Sequence, residues 1–286
     1  MSRWIRYGSY PFVMLPSALG IIWVSNHALH FWPMWLLIAA VGIAIVAMLE
    51  RIQPFEIDWL EDHGDLRADL IHGVVNFSLL SLAATVFPLL PVKLYAAWPV
   101  HWPAGLQILL VGVFLDFGLY VMHRLSHIYH WLWLLHAPHH SAERLYWLNG
   151  ERRHPLSALL LAGPGLLVIA VLGAPSQFVS AWLCFLAIHL AFQHANLDYS
   201  LGPFRKLIGV AEIHRWHHKR DYEDAQVNFG EFWMIWDHLF GTFSDNTRPL
   251  LQDEVGISDA TFPKTYMEQL RYPFIARKNA TVVNDK

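Results

Sequence analysis

The sequence predicts an all-α, polytopic membrane protein: a helical bundle of four to six apolar spans carrying a cytoplasmic helical cap. Three observations point there. The chain is 55% hydrophobic and 15% charged, where soluble domains average about 25% charged, and its mean hydropathy is +0.31. Apolar runs near the length of a membrane-crossing helix recur along it. Histidines, 18 in all, crowd where some of these runs stop.

Taken in order, residues 1–8 carry Arg3 and Arg6 and lead into a run over 10–29. It has no small-x-small cleavage site, and a second run, 33–49, follows almost at once, so it reads as a retained helix and not a signal peptide. The short, uncharged link 26–32 makes the pair a helical hairpin. Residues 50–69 are polar and charged and lie outside the bilayer. A third run, 70–90, contains Asn76, Ser78, Ser81 and Thr85, which suit packing against other helices; Pro88 and Pro91 close it. Trp98 and Trp102 in the next loop suit a membrane interface. The fourth run, 104–122, leads directly into His123. A polar segment, 141–154, precedes two shorter runs, 155–172 and 176–195, split by Gly173-Ala174-Pro175. These form either a full hairpin or a shallower, partly inserted one. The expected organisation is one membrane-embedded catalytic domain over 1–245 and a polar C-terminal tail over 246–286.

Charge distribution sets an orientation. With the N-terminus cytoplasmic, segments 50–69, 123–154 and 196–286 are cytoplasmic too, and 19 of the 20 Lys and Arg fall inside, with Lys93 alone outside. The same assignment puts every histidine cluster on the cytoplasmic side.

Net charge is −3, which leaves no basic field for nucleic acid. A single cysteine, Cys184, excludes an internal disulfide and a cysteine-based zinc or iron–sulfur framework within one chain. The histidines are different. His123 and His127 are spaced i, i+4; His136, His139 and His140, and again His214, His217 and His218, are spaced i, i+3, i+4. On a helix such positions share a face, which is what a multi-imidazole metal site requires. Eight imidazoles exceed the needs of one ion, so two ions are expected; close metal pairs lie about 3.5–4 Å apart. Imidazole suits Fe, Cu, Zn and Ni alike. His27, His30, His63, His72, His101 and His130 read as isolated polar or interface residues.

The combination HRLSH (123–127), HAPHH (136–140) and HRWHH (214–218), after four hydrophobic runs, resembles the fatty acid hydroxylase / sterol desaturase superfamily of integral membrane histidine-box oxygenases. Arg153-His154-Pro155, Gln193-His194-Ala195-Asn196 and the stretch from Asn228 to Thr242 share the likeness, which covers roughly 70–243. The resemblance implies a non-haem di-iron enzyme that uses O2 as co-substrate to hydroxylate or desaturate a lipid C–H bond, in a sterol, fatty acyl or alkyl-ether lipid. It implies electrons from a separate donor in trans, and zinc replacing iron in some purified forms. Oligomeric state is not implied.

Position by position, the resemblance gives as metal ligands His123, His127, His136, His139, His140, His214, His217 and His218, with His194 as the additional histidine between the boxes and His154 from the Arg-His-Pro triplet. His189 has the wrong spacing for a ligand and is expected to be structural. Asp116, seven residues before His123 inside an apolar span, is a candidate acceptor behind a ligand ring, with an Arg or Tyr partner as the alternative. Asp237, Glu143, Asp198 and Asn228 are weaker candidates. Arg124 and Arg215 suit interface cations or capping donors; Trp131, Trp133 and Trp147 suit packing or the interface. The rival readings are a membrane metal-binding or transport protein, a bis-histidine haem cytochrome, and a non-catalytic lipid-binding relative. Transport predicts ligands along a path near the midplane, and haem predicts axial histidines on facing helices.

Overall fold

The structure is a computed structural model and describes residues 2–27, 33–86, 97–250, 252–259 and 261–284. Among these residues it is all-helical, with three isolated β-bridges and no strand. The helices are α1 (Arg3–His27), α2 (Pro33–Ile52), α3 (Leu66–Val86), α4 (Ala104–Ile128), α5 (His130–His140), α6 (Pro155–Val171), α7 (Ser176–His194), α8 (Ala211–His217), α9 (Ile235–Phe240) and α10 (Tyr266–Asn284). Five are long and apolar enough to cross a membrane: α1, α2, α3, α4 and α7. The fifth expected run, 155–172, forms α6, which has 17 residues, about 26 Å at the helical rise, and reaches most of the way across a bilayer. The ends of the first and third runs, most of the link 26–32, Lys93 and the closing Pro88 and Pro91 lie outside the described residues.

Small residues set the closest helix crossing. A Cβ on Gly118 of α4 would come within 2.6 Å of the Gly165 backbone nitrogen on α6, and one on Gly165 within 2.8 Å of Leu115 Cα. Without side chains there, the two backbones touch, the usual solution where lipid offers no hydrophobic drive for helix association. α7 runs through the middle of the bundle, with Ala181, Ile188 and Phe192 fully buried against α1, α2 and α4.

Hydrogen bonds gather the polar segments at one end of the bundle. Ser2 N–H donates to Gln53 Oε1 (2.9 Å), Gln53 Nε2 to Asp198 O (2.9 Å) and Ser200 N–H to Arg6 O (2.8 Å). Glu50, buried at the end of α2, accepts from the Trp147 and Asn196 backbones at 3.0 and 3.1 Å. At the start of α3, Arg144 forks onto Asp65 (2.7 and 3.1 Å), while Arg152 and Tyr146 meet Asp69 at 3.0 and 2.8 Å. The start of the chain, the end of α2, the start of α3, the ends of α4 and α7 and all the histidine patches therefore share one end, the grouping the charge distribution requires.

The expected polar tail is part of this cap. Leu250, Val255 and Phe262 are buried, Gly256 N–H donates to His218 O (3.2 Å) and Arg220 N–H to Glu254 O (2.6 Å). α10 packs on α5 and α3, and Gln269 reaches His72 at 2.9 Å. The sequence periodicity is weak because the described residues of 246–265 wrap over the cap with only one short 3-10 turn, Gln252–Glu254, among them before α10 starts.

Candidate metal centre

α4 and α5 are separated by one extended residue, Tyr129 (φ −98°, ψ 120°). That break folds the second box back over the first. The histidines form two buried sets. His123, His127, His136, His140 and His217 make one; His139, His194, His214 and His218 make the other; within each, one ring nitrogen per residue lies within 4.8 Å of all the others. Successive helical residues point about 100° apart, so each HxxHH splits: His136 and His140 face the first set and His139 the second, while His217 faces the first and His214 and His218 the second. The rings of His140 and His218 stack at the seam, centroids 4.7 Å apart. Among the described residues no carboxylate joins either set.

Within the first set, Nε2 of His140 lies 3.1 Å from Nε2 of both His127 and His136, and His217 Nε2 lies 2.8 Å from His123 Nε2. In the second, His214 Nε2 is 3.2 Å from Nε2 of His194 and of His218. Backbone carbonyls fix several tautomers. His123 Nδ1 faces Phe229 O, His217 Nδ1 faces Val227 O, both at 2.9 Å, and His194 Nδ1 faces Leu190 O at 3.0 Å. A carbonyl only accepts, so each Nδ1 carries the proton and each neutral ring presents its Nε2 lone pair. For His123 and His217, two lone pairs thus meet at 2.8 Å, an arrangement that a cation between them relieves. No hydrogen-bond partner among the described residues reaches either nitrogen of His139, or Nδ1 of His136, His214 and His218, a cost unless something else binds there. The donor set fits nitrogen-ligated metal ions.

Electrostatics agrees. Burial, assisted by neighbouring imidazoles or Arg153, holds His136, His139, His140, His214 and His218 well below the usual 6.5; burial and His123 do the same for His217. All six stay neutral, with a lone pair free, at physiological pH.

The loop 227–237 supports the rings. Besides Phe229 O and Val227 O, its Glu231 O meets His189 Nε2 (2.9 Å) and accepts from Gln193 Nε2 (2.8 Å). Two carboxylates hold the loop. Asp237 accepts from the Phe229 and Gly230 N–H groups, each 2.8 Å, and Asp116 from Phe232 N–H (2.8 Å), Trp233 N–H (3.0 Å) and Trp236 Nε1–H (2.9 Å). Asp116 therefore touches no histidine; it acts one step further back, through the loop whose carbonyl meets His123. Asn228 adopts φ 55° and ties the loop to Ile213 O and Ser244.

His154 is not brought to either set. It caps α6: its Nδ1 accepts from Leu156 N–H (3.1 Å), its Nε2 faces Leu270 O (3.1 Å), and Pro155 begins the helix. His189, bound to Tyr10 Oη (2.7 Å) and Glu231 O, packs in the bundle as a structural residue. The Asp198 carboxylate pairs with Arg6, and Glu143 lies near Lys264 on the surface. Arg215 donates to Ala195 O and Leu197 O at 2.9 Å beneath Phe55, a capping role at the end of α7; Arg124 reaches Tyr120 Oη (3.5 Å). Trp133 packs on the His127 and His140 rings, Trp147 on the bundle core, and Trp131 is exposed. Three residues carried no sequence signal of their own: Gln226, 3.2 Å from His127 Nδ1; Tyr222, whose hydroxyl donates to His127 O; and Glu231, 3.9 Å from His123 Nδ1 and paired with Arg153 at 3.1 Å.

The comparisons with known proteins agree with this site. The fatty acid hydroxylase family profile matches residues 108–242, from within α4 to past the loop just described. An ornithine lipid hydroxylase of Rhizobium tropici, OlsE, is 30% identical over 97% of this chain and 86% of its own length. The alkylglycerol monooxygenase of Danio rerio is 30% identical over 74% of this chain and 50% of its own, so this chain spans about half of that protein. A methylsterol monooxygenase of Arabidopsis thaliana is 27% identical over 60% of this chain and 65% of its own. No solved structure matches. With the histidine pattern, the membrane bundle and the near full-length likeness, this chain belongs to the fatty acid hydroxylase family.

Proposed function

We propose that this protein is a multi-pass membrane oxidoreductase that inserts oxygen from O2 into a C–H bond of a lipid, with two metal ions, iron in the cell, held by nine histidines. The observation that carries the reading is the pair of buried, nitrogen-only imidazole sets at one end of the bundle. His123, His127, His136, His140 and His217 hold one ion, and His139, His194, His214 and His218 the other. His154 is left out, since both its ring nitrogens have other work. Bound there, the metal pair supplies O2 activation, with electrons from a separate donor.

The chain's own residues do the rest. Phe229 O, Val227 O and Leu190 O orient His123, His217 and His194 so that Nε2 points inward. Burial of all nine rings excludes bulk water. Neutral ligands leave the metal charge uncompensated, which favours anionic oxygen species at the site. The named relatives are hydroxylases or monooxygenases, which supports oxygen insertion over desaturation. The lipids in their names support a lipid substrate, entering sideways from the bilayer. The excess of Lys and Arg on the side of the histidine cap supports a cytoplasmic N-terminus, cap and C-terminus, and the burial of Leu250, Val255 and Phe262 supports one catalytic unit that includes 246–286.

The test is labelled dioxygen. Lipid extracts from cells expressing the protein, grown under isotopically labelled O2, should contain a hydroxylated lipid bearing the label that is absent with His136→Ala. A lipid profile identical with and without the protein would count against the reading.

A further inference from the structure

An apolar cleft of 390 Å³ lies between α2, α3 and α7. Its rim, Leu36, Ala40 and Phe77, is exposed on the lipid-facing surface, and its floor, Leu186 and Leu190, is buried. At its inner end stands Glu151, which also lines a smaller chamber bounded by Leu119, Leu190, Arg153 and Glu231. That chamber is next to the metal centre: Leu119 and Leu190 lie one turn before His123 and His194, and Glu231 is 3.9 Å from His123 Nδ1. The cleft therefore runs from the bilayer to the reactive end of the bundle.

Glu151 is the anomaly. It is 8% exposed, and among the described residues no hydrogen bond or ion pair reaches its carboxylate. The nearby guanidinium of Arg153 is already committed to Glu231, at 3.1 and 3.2 Å. Burial raises the Glu151 carboxyl to about 6, with Arg153 opposing and Glu231 reinforcing. With Arg153 paired to Glu231, the Glu151 carboxylate is left without a side-chain partner where the apolar cleft meets it, a position that a cationic group in the cleft can fill.

Resting on the oxidoreductase reading above, we propose that this cleft is the lipid site and that Glu151 selects an acyl lipid carrying an ammonium group in its polar part. The hydrocarbon chain lies along α2, α3 and α7, and the ammonium meets the Glu151 carboxylate beside the metal centre. Glu151 is then a specificity-determining residue.

Binding tests this without turnover. The full chain in maltoside micelles is titrated with dodecylamine and with dodecanol, a pair matched in chain length and differing in charge. The amine should bind at least about tenfold more tightly, one unpaired charge being worth that much or more. Glu151→Gln should bring the two together while leaving thermal stability and metal content as they were. Ala40→Trp, at the exposed rim, should weaken both ligands. Equal binding of amine and alcohol by the unmodified chain would overturn the proposal, as would an unchanged preference in Glu151→Gln. Metal loss in Glu151→Gln would also overturn it, assigning the carboxylate to the metal centre. Because binding is read without catalysis, failure to bind the amine is distinguishable from failure of the oxygenase reading, which metal content and labelled dioxygen report.

Discussion

His123 and His217 face each other Nε2 to Nε2 at 2.8 Å, while the Nδ1 of each is held by a main-chain carbonyl of the same loop, Phe229 O and Val227 O. The two residues are 94 positions apart, on α4 and α8. One loop thus sets the tautomer of two facing rings in the first histidine set, and whatever moves that loop moves both rings.

The first prediction concerns Asp116. Asp116→Ala removes the acceptor for Phe232 N–H, Trp233 N–H and Trp236 Nε1–H and frees the loop that orients His123 and His217. Loss of a group supporting ligand orientation costs about 10–100-fold in metal affinity or activity. Chelator titration of purified protein should show metal released that much more readily from Asp116→Ala. Unchanged release would mean that the loop is held well enough by Asp237 alone.

Protons compete with metal at this site, and the direction follows from burial. His136, His139, His140, His214, His217 and His218 are held well below 6.5 in the fold. Above about pH 7 they are neutral both folded and unfolded and contribute no pH dependence. As pH falls through about 6.5 the unfolded chain takes up protons that the fold refuses, so stability drops. The thermal midpoint of chelator-stripped protein should be level above about pH 7 and fall below about pH 6.5. A midpoint that holds or rises on acidification would contradict neutral, buried rings.

The contact between α4 and α6 gives a packing test away from the metal. Gly165→Val places its Cβ within 2.8 Å of Leu115 Cα, where backbone cannot yield as a side-chain tip can. Overpacking costs about 1–3 kcal/mol. Gly163→Val, whose Cβ would meet nothing within 4 Å, is the control. Gly165→Val should unfold at lower temperature than Gly163→Val; equal midpoints would remove the crossing as a determinant of the bundle.

Much of this centre was legible in the residues, and the limits are physical. The i, i+3, i+4 spacing exposes which histidines share a face, and all eight box histidines and His194 are in the two sets. The division between sets depends on how α5 and α8 face each other across the cap, which spacing alone does not encode. His154 looked like a ligand because it sits in a family triplet; its place at the start of α6, before Pro155, makes it a helix cap instead. Asp116 stands out in the sequence as a carboxylate inside an apolar span, but its partners, the Phe232 and Trp233 N–H groups and the Trp236 indole, are more than a hundred residues away and leave no local signal. The segment 246–265 seemed a tail because irregular chain that wraps a surface has no periodicity to read. Glu151 lacked any motif, since its significance comes only from the cleft that other helices build around it.

The central claim is two nitrogen-only metal sets in one cap, and metal counting tests it most directly. Protein purified anaerobically should carry two iron ions per chain, one for each set. His136→Ala and His217→Ala should empty the first set, and His139→Ala the second, with the fold retained. Full metal content in all three variants, a single ion shared by the nine histidines, or a haem spectrum would contradict the account.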